Sequence, residues 1–248
     1  MTTLENDVRT RTAANHETVE YRKVWDLPIR LFHWILVGAF VGAFVTNRLG
    51  VSYFKYHVWC GYAVIVLVAF RVIWGLVGTR HAKFAHFIKG PLEILRYARD
   101  LSRGHASRFA GHNPLGALMV VALLLALGAQ ASFGLFSNDE IFNVGPLYGY
   151  VGKDLGLQLT SLHRKLFYWI AMAVAVHIAA VIFYAIVKRE ALIRAMITGG
   201  KPSHVVGPGD TIASSRSLRA LLILVAISGA FALLLHFAPA SELDIAGF

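Results

Sequence analysis

LHRKLFYWIAMAVAVHIAAVIFYAIV, residues 162–187, is the stretch whose reading decides the fold. It is apolar apart from a short basic start and one interior histidine. A bilayer is spanned by a helix of about 20 predominantly apolar residues, and this run meets that length. His163 and His177 lie fourteen residues apart within it. At about 1.5 Å and 100° per helical residue, their rings are separated by about 21 Å along the axis but only about 40° around it. One membrane helix therefore presents an imidazole near each side of the bilayer, both toward the same interior.

Three further runs reach spanning length: Tyr56–Gly78, Pro114–Phe136 and Leu218–Ala238. A fifth, Leu31–Thr46, is shorter but gains length from Val24–Arg30, where Trp25 is expected at the interface. Hydrophobic residues make up 56% of the chain and charged residues only 15%, far from the balance of a globular domain. The expected fold is an all-α membrane protein: a four-helix transmembrane bundle plus a fifth transmembrane helix. The first 23 residues are polar and lack the apolar core of a cleaved signal peptide.

Basic residues are distributed unevenly between the two sides. Arg9, Arg11, Arg22, Lys23 and Arg30 precede the first span, and Arg80, Lys83, Lys89, Arg96, Arg99, Arg103 and Arg108 fill the loop Thr79–Asn113. Lys188, Arg189, Arg194, Lys201 and Arg216 follow the fourth span, while the other side has Arg48, Lys55, Lys153, Arg164 and Lys165. The positive-inside rule then predicts a cytoplasmic N-terminus and a C-terminus across the membrane. The same bias accounts for the net charge of +10, and no basic–aromatic stripe invites nucleic acid. Asp139, Glu140 and Asp154 in the opposite loop Ser137–Ser161, with Glu242 and Asp244 in the tail, leave a mixed-charge face there.

Ionisable groups within spans mark function by default. His33 opens the first span on the basic side, and His57 opens the second on the other. By depth, His57 pairs with His163 and His33 with His177, each pair bridging two helices. A mononuclear metal needs ligands converging within a few ångströms; two pairs at two levels suit two stacked iron porphyrins instead. Cys60 is the single cysteine, which excludes both an intramolecular disulfide and covalent haem attachment through Cys-x-x-Cys-His. The haems expected are therefore b-type and held by histidine alone.

Arg71 follows His57 by fourteen residues, at the depth of the second level, where a guanidinium can pair with a haem propionate or snorkel to the surface. Gly61 and Gly75 repeat that interval; each suits either the close approach of a flat macrocycle or helix packing. Gly38 and Gly42 read as a packing seam. Arg30 and Arg164 beside His33 and His163 suit propionates or interfacial anchoring equally. His16, His81, His86, His105, His112 and His204 are expected in surface or capping roles, although His112 beside Asn113-Pro114 is also placed to meet a haem edge or a quinone headgroup. His236 is expected to be interfacial. Gln130 and Ser132 are the interior polar side chains of the third span, which carries no strong ligand. Leu92–Ser102 reads as a short amphipathic surface helix, and Gly199–Ser215 as a flexible linker.

These pieces together resemble the bacterial cytochrome b561 and nickel–iron hydrogenase b-type cytochrome subunit family over roughly Val24–Arg194. The matching motifs are Val24-Trp25-Asp26-Leu27-Pro28-Ile29-Arg30 leading to His33-Trp34, and His57 with Gly61-Tyr62. Phe70-Arg71-Val72-Ile73-Trp74-Gly75, Thr79-Arg80-His81, Gly111-His112-Asn113-Pro114 and the His163/His177 helix match as well. The resemblance implies a four-helix core with two b haems, passing electrons between the quinone pool and a periplasmic or peripheral redox protein. It places the ligands on His33, His57, His163 and His177. Members often stop after four spans, so the fifth is left without a role.

The expected organisation is a polar cytoplasmic segment 1–23, a dihaem bundle 24–194, a cytoplasmic linker 195–216 and an extra helix with a short periplasmic tail 217–248. The expected function is electron transfer across a bacterial inner membrane, with membrane lipid, quinone and a c-type cytochrome or a hydrogenase or dehydrogenase module as partners. A stand-alone superoxide:quinone oxidoreductase is the enzymatic alternative, and a haem-free membrane anchor the other.

Overall fold

The computed structural model describes residues 20–141 and 143–239; Arg9, Arg11, His16, Glu242 and Asp244 lie outside them. Among the described residues five helices are long and apolar enough to cross a membrane. They are α1 (Leu27–Arg48), α2 (Phe54–Val77), α5 (Pro114–Leu135), α6 (Lys153–Ile186) and α8 (Ser217–His236). Shorter helices lie between them: α3 (Phe84–Phe87), α4 (Pro91–Ser102) and α7 (Leu192–Thr198). The chain is an all-α, multi-pass membrane protein.

Local sequence explains where these helices start. Asp26 caps α1, its Oδ1 accepting from the Ile29 amide at 2.7 Å, with Pro28 in the first turn. Asn113 does the same for α5, accepting from Gly116 at 2.7 Å ahead of Pro114. Gly50, at φ 96°, reverses the chain after α1 in a conformation that side chains rarely adopt.

One expected boundary was wrong. α6 begins at Lys153, so part of the expected loop Ser137–Ser161 is helical. Thr160 Oγ1 donates to the Asn138 carbonyl at 3.0 Å, and Gly156 packs beneath Tyr148, so tertiary contacts hold these turns although their sequence is only half apolar. Arg164 and Lys165 consequently sit several turns inside the helix.

α2 is the hub, packing against α1, α5 and α8, while α6 packs along α5. The backbone of α6 approaches neither α1 nor α2 closely. A slot therefore runs between α6 and the α1–α2 pair, bridged by side chains. Phe167 stacks across it on Phe44 at 5.5 Å and Phe40 at 6.3 Å.

The three basic segments gather at one end of the bundle. β1 (Tyr21–Lys23) pairs antiparallel with β2 (Gly200–Pro202), and the Val24 and Trp25 amides donate to the Gly199 carbonyl at 2.9 and 3.0 Å. His81 Nε2 meets the Asp210 carbonyl at 2.6 Å, Arg80 pairs with Asp210 at 3.0 Å, and Lys201 Nζ donates to the Phe109 carbonyl at 2.9 Å. The segment Gly199–Ser215, expected as a flexible linker, is thus built into a strap across this end. Trp25, expected at the interface, is buried there against the rings of His81 and His112.

Candidate functional site

The structure brings His33 to His177, ring centroids 6.5 Å apart, and His57 to His163, 6.0 Å apart. Each pair spans the slot, one from α1 to α6 and the other from α2 to α6. A separation of about 6 Å is what two imidazoles need when each places a nitrogen about 2 Å from one metal between them. Among the described residues no three His, Cys, Asp or Glu side chains converge as a metal site, so the arrangement is two by two.

The second level of interactions is specific. His57 Nδ1 donates to the Ala43 carbonyl at 2.8 Å, and His163 Nδ1 donates to the Gln130 carbonyl at 2.8 Å. A ring held this way through Nδ1–H turns the Nε2 lone pair outward, as metal-bound histidines require. Gly134 makes the α5–α6 contact possible, because a Cβ there would lie 3.0 Å from His163 Cε1. His33 Nδ1 is buried with no hydrogen-bond partner. A haem iron between each pair fits these residues: slot and spacing agree for both, and ring orientation for His57 and His163.

The remaining expected positions divide. Gly61 has open space where a Cβ would point, one turn past His57, which suits a flat group beside the backbone. Gly75 does not: a Cβ there would run into the Phe84 ring, so α3 covers that backbone. Gly42 meets Cys60 Sγ across the α1–α2 seam, whereas Gly38 faces open space. Arg71 does not snorkel. It is only 2% exposed, its guanidinium 4.9 Å from the Phe84 ring and 5.7 Å from Phe87, with Nη1 buried and unpartnered. Arg30 Nη2 donates to the Ile197 carbonyl, and its Nε is buried without a partner. Arg164 is exposed beside His163.

Two histidines expected in surface or capping roles pack inward, His81 buried and His112 half-buried. His81 is buried against the strap. His112 packs 4.7 Å from both Trp25 and Phe87, with its Nδ1 inaccessible and unpartnered. Burial, then the Arg71 guanidinium, pushes the His112 imidazole down to about 3, so the ring is neutral. Sequence reasoning missed the network beneath them: Asp26, 1% exposed, accepts through Oδ2 from Trp74 Nε1 at 3.2 Å and from Thr79 Oγ1. The Asp26…Trp74…Thr79 spacing crosses three elements and leaves no local signal.

The sequence profile described as prokaryotic cytochrome b561 matches residues 24–199. The chain belongs to that family. It is thus a haem-b electron-transfer cytochrome of the membrane, and the cytochrome b561 core covers α1 to α7 while α8 lies beyond it. Curated relatives are more distant. A protein of Azotobacter vinelandii is 24% identical over 214 residues, covering 71% of this chain and 86% of its own length. One from Cupriavidus necator is 22% identical over 232 residues, covering 75% and 89%, and one from Rhizobium leguminosarum bv. viciae 25% over 229 residues, covering 79% and 94%. All three are described as probable Ni/Fe-hydrogenase B-type cytochrome subunits.

Proposed function

We propose that this cytochrome holds two b haems, one between His33 and His177 and one between His57 and His163. It would carry electrons across a bacterial cytoplasmic membrane between the quinone pool and a redox partner on the opposite face. The observation that carries this reading is the pairing of four histidines at two levels about 21 Å apart on α6, across a slot that no backbone fills. Haem b supplies a reversible one-electron couple when bound; the protein supplies ligation, spacing and a dry surround.

The basic end lies on the cytoplasmic side in this reading, from the positive-inside bias. There His112 offers a neutral ring with a free Nδ1, a group able to hydrogen-bond a quinone carbonyl, and Arg71 and Arg30 offer unpartnered N–H groups to haem propionates. At the other end Arg164 stands beside His163 for the second haem. Lys153 is held by Glu140 at 2.7 Å there, so this face is mixed in charge rather than a cationic funnel for superoxide. Such a face suits a protein, and the relatives' description makes a nickel–iron hydrogenase module the first choice, with a c-type cytochrome as the other.

Haem extraction and redox titration of purified protein test this. Two haems per chain with two resolvable potentials, both reducible by a short-chain quinol, are expected. A ratio near one removes the two-level wire, and a colourless preparation leaves only a membrane anchor. Rapid superoxide consumption without a partner moves the protein to the enzymatic reading.

A further inference from the structure

At the basic end, away from both histidine pairs, a cleft of about 190 Å³ opens between α4, the loop after it and the end of α6. Its walls carry Arg108, Lys188, Ser107 and Glu190, and its floor is Tyr97 against Tyr184, whose hydroxyls meet at 2.9 Å. Both tyrosines are buried. The cations are loosely held: Lys188 Nζ reaches the Gly104 carbonyl only at 3.5 Å, and Arg108 Nε reaches Glu190 only at 4.0 Å. Arg108 also makes long contacts to the Lys188 carbonyl at 3.3 Å and to His204 at 3.4 Å. Each keeps donors free, since a guanidinium has five N–H groups and an ammonium three.

The depth of the cleft follows from its parts. Tyr184 lies one turn before the end of the apolar run at Val187, and Lys188 follows that end directly, the order expected where hydrocarbon gives way to headgroups. α4 adds an independent observation. Its inner side buries Tyr97, while Leu92 and Leu95 are 68% and 65% exposed. At 100° per residue, Leu95, Arg99, Leu92 and Arg96 share one stripe about 100° wide. Leucines alternating with arginines on the outer face of an interfacial helix suit acyl chains below and phosphates above.

We propose that this cleft forms a seat for an anionic phospholipid, with the phosphodiester between Arg108 and Lys188 at the bilayer interface that the exposed leucines of α4 mark. Two cations and the Glu190 carboxylate leave one net positive charge. That balance matches a phosphodiester monoanion better than a free phosphate dianion, and the carboxylate faces the rest of the headgroup, which favours glycerol hydroxyls. A zwitterionic lipid would bring no net charge to satisfy it.

Native mass spectrometry of the full-length, haem-loaded protein in detergent tests the seat, after delipidation and addition of phosphatidylglycerol, phosphatidylethanolamine or phosphatidylcholine. Phosphatidylglycerol should be retained over both others, and each cation removed in Arg108→Gln and Lys188→Gln should weaken it about fivefold. Equal retention of the three lipids by the unaltered protein overturns the proposal without any variant. Undiminished retention by the double charge variant overturns it too, as does displacement of the lipid by millimolar inorganic phosphate.

Discussion

Phe44 and Phe167 stack within 4° of parallel, 5.5 Å between centroids, across an interface of the bundle where the backbones stand apart. Phe167 lies one turn from His163 and about ten residues before His177 on α6, so the stack sits between the two histidine levels. It holds α1 and α6 at the width that both ring pairs need. A double-mutant cycle with Phe44→Leu and Phe167→Leu should give a coupling of about 1 kcal/mol, read from thermal bleaching of the Soret band. No coupling would mean that α5 alone sets the position of α6.

The histidine pairs make a matched set of outcomes. His33→Ala and His177→Ala should each remove the same half of the haem, and His57→Ala and His163→Ala the other half, with the haem-to-protein ratio falling from two to one. Redox titration identifies which component is lost. If His33→Ala and His57→Ala abolish the same component, the pairing across the slot is wrong.

Gly134 gives a test of the second level without touching a ligand. In Gly134→Ala the new Cβ would sit 3.0 Å from His163 Cε1 and 3.2 Å from Nδ1. The ring must then move against its bond to the Gln130 carbonyl. Retention of the haem at the His57–His163 level should weaken about tenfold, the lower end for lost second-shell support. The His33–His177 component should be unaltered.

Arg71 is a buried positive charge near the His33–His177 level. Arg71→Leu should lower the midpoint potential of that haem, because a nearby cation favours the reduced form, and Arg71→Lys should restore part of the shift. An unchanged potential in Arg71→Leu would leave Arg71 to its rings, Phe84 and Phe87.

His112 makes stability depend on pH. Its folded value of about 3 lies below the ordinary 6.5. Between those values the unfolded chain binds a proton that the native ring refuses, so this contribution is intact above about pH 6.5 and is lost as the pH falls toward 3. Arg71, Lys201, His81 and His177 surround the ring and oppose its protonation. His112→Gln should flatten the fall in melting temperature between pH 7 and 5, measured against the unaltered protein so that the ten histidines common to both cancel.

The sequence alone determined the number of helices and which histidines share a depth. Those properties follow from hydropathy and the helical repeat, both local along the chain. It also carried the family resemblance and the amphipathic character of α4. Tertiary structure decided the rest. Only packing extended α6 back to Lys153, turned 199–215 into a strap, buried His81 and Asp26, and enclosed the Nδ1 of His112, because their partners lie beyond the reach of any local pattern. Gly61 and Gly75 show the limit most clearly: the same residue at the same helical interval faces open space in one case and an aromatic ring of α3 in the other. A periodic pattern specifies the direction in which a backbone faces, but what stands opposite depends on how the whole chain folds back on itself.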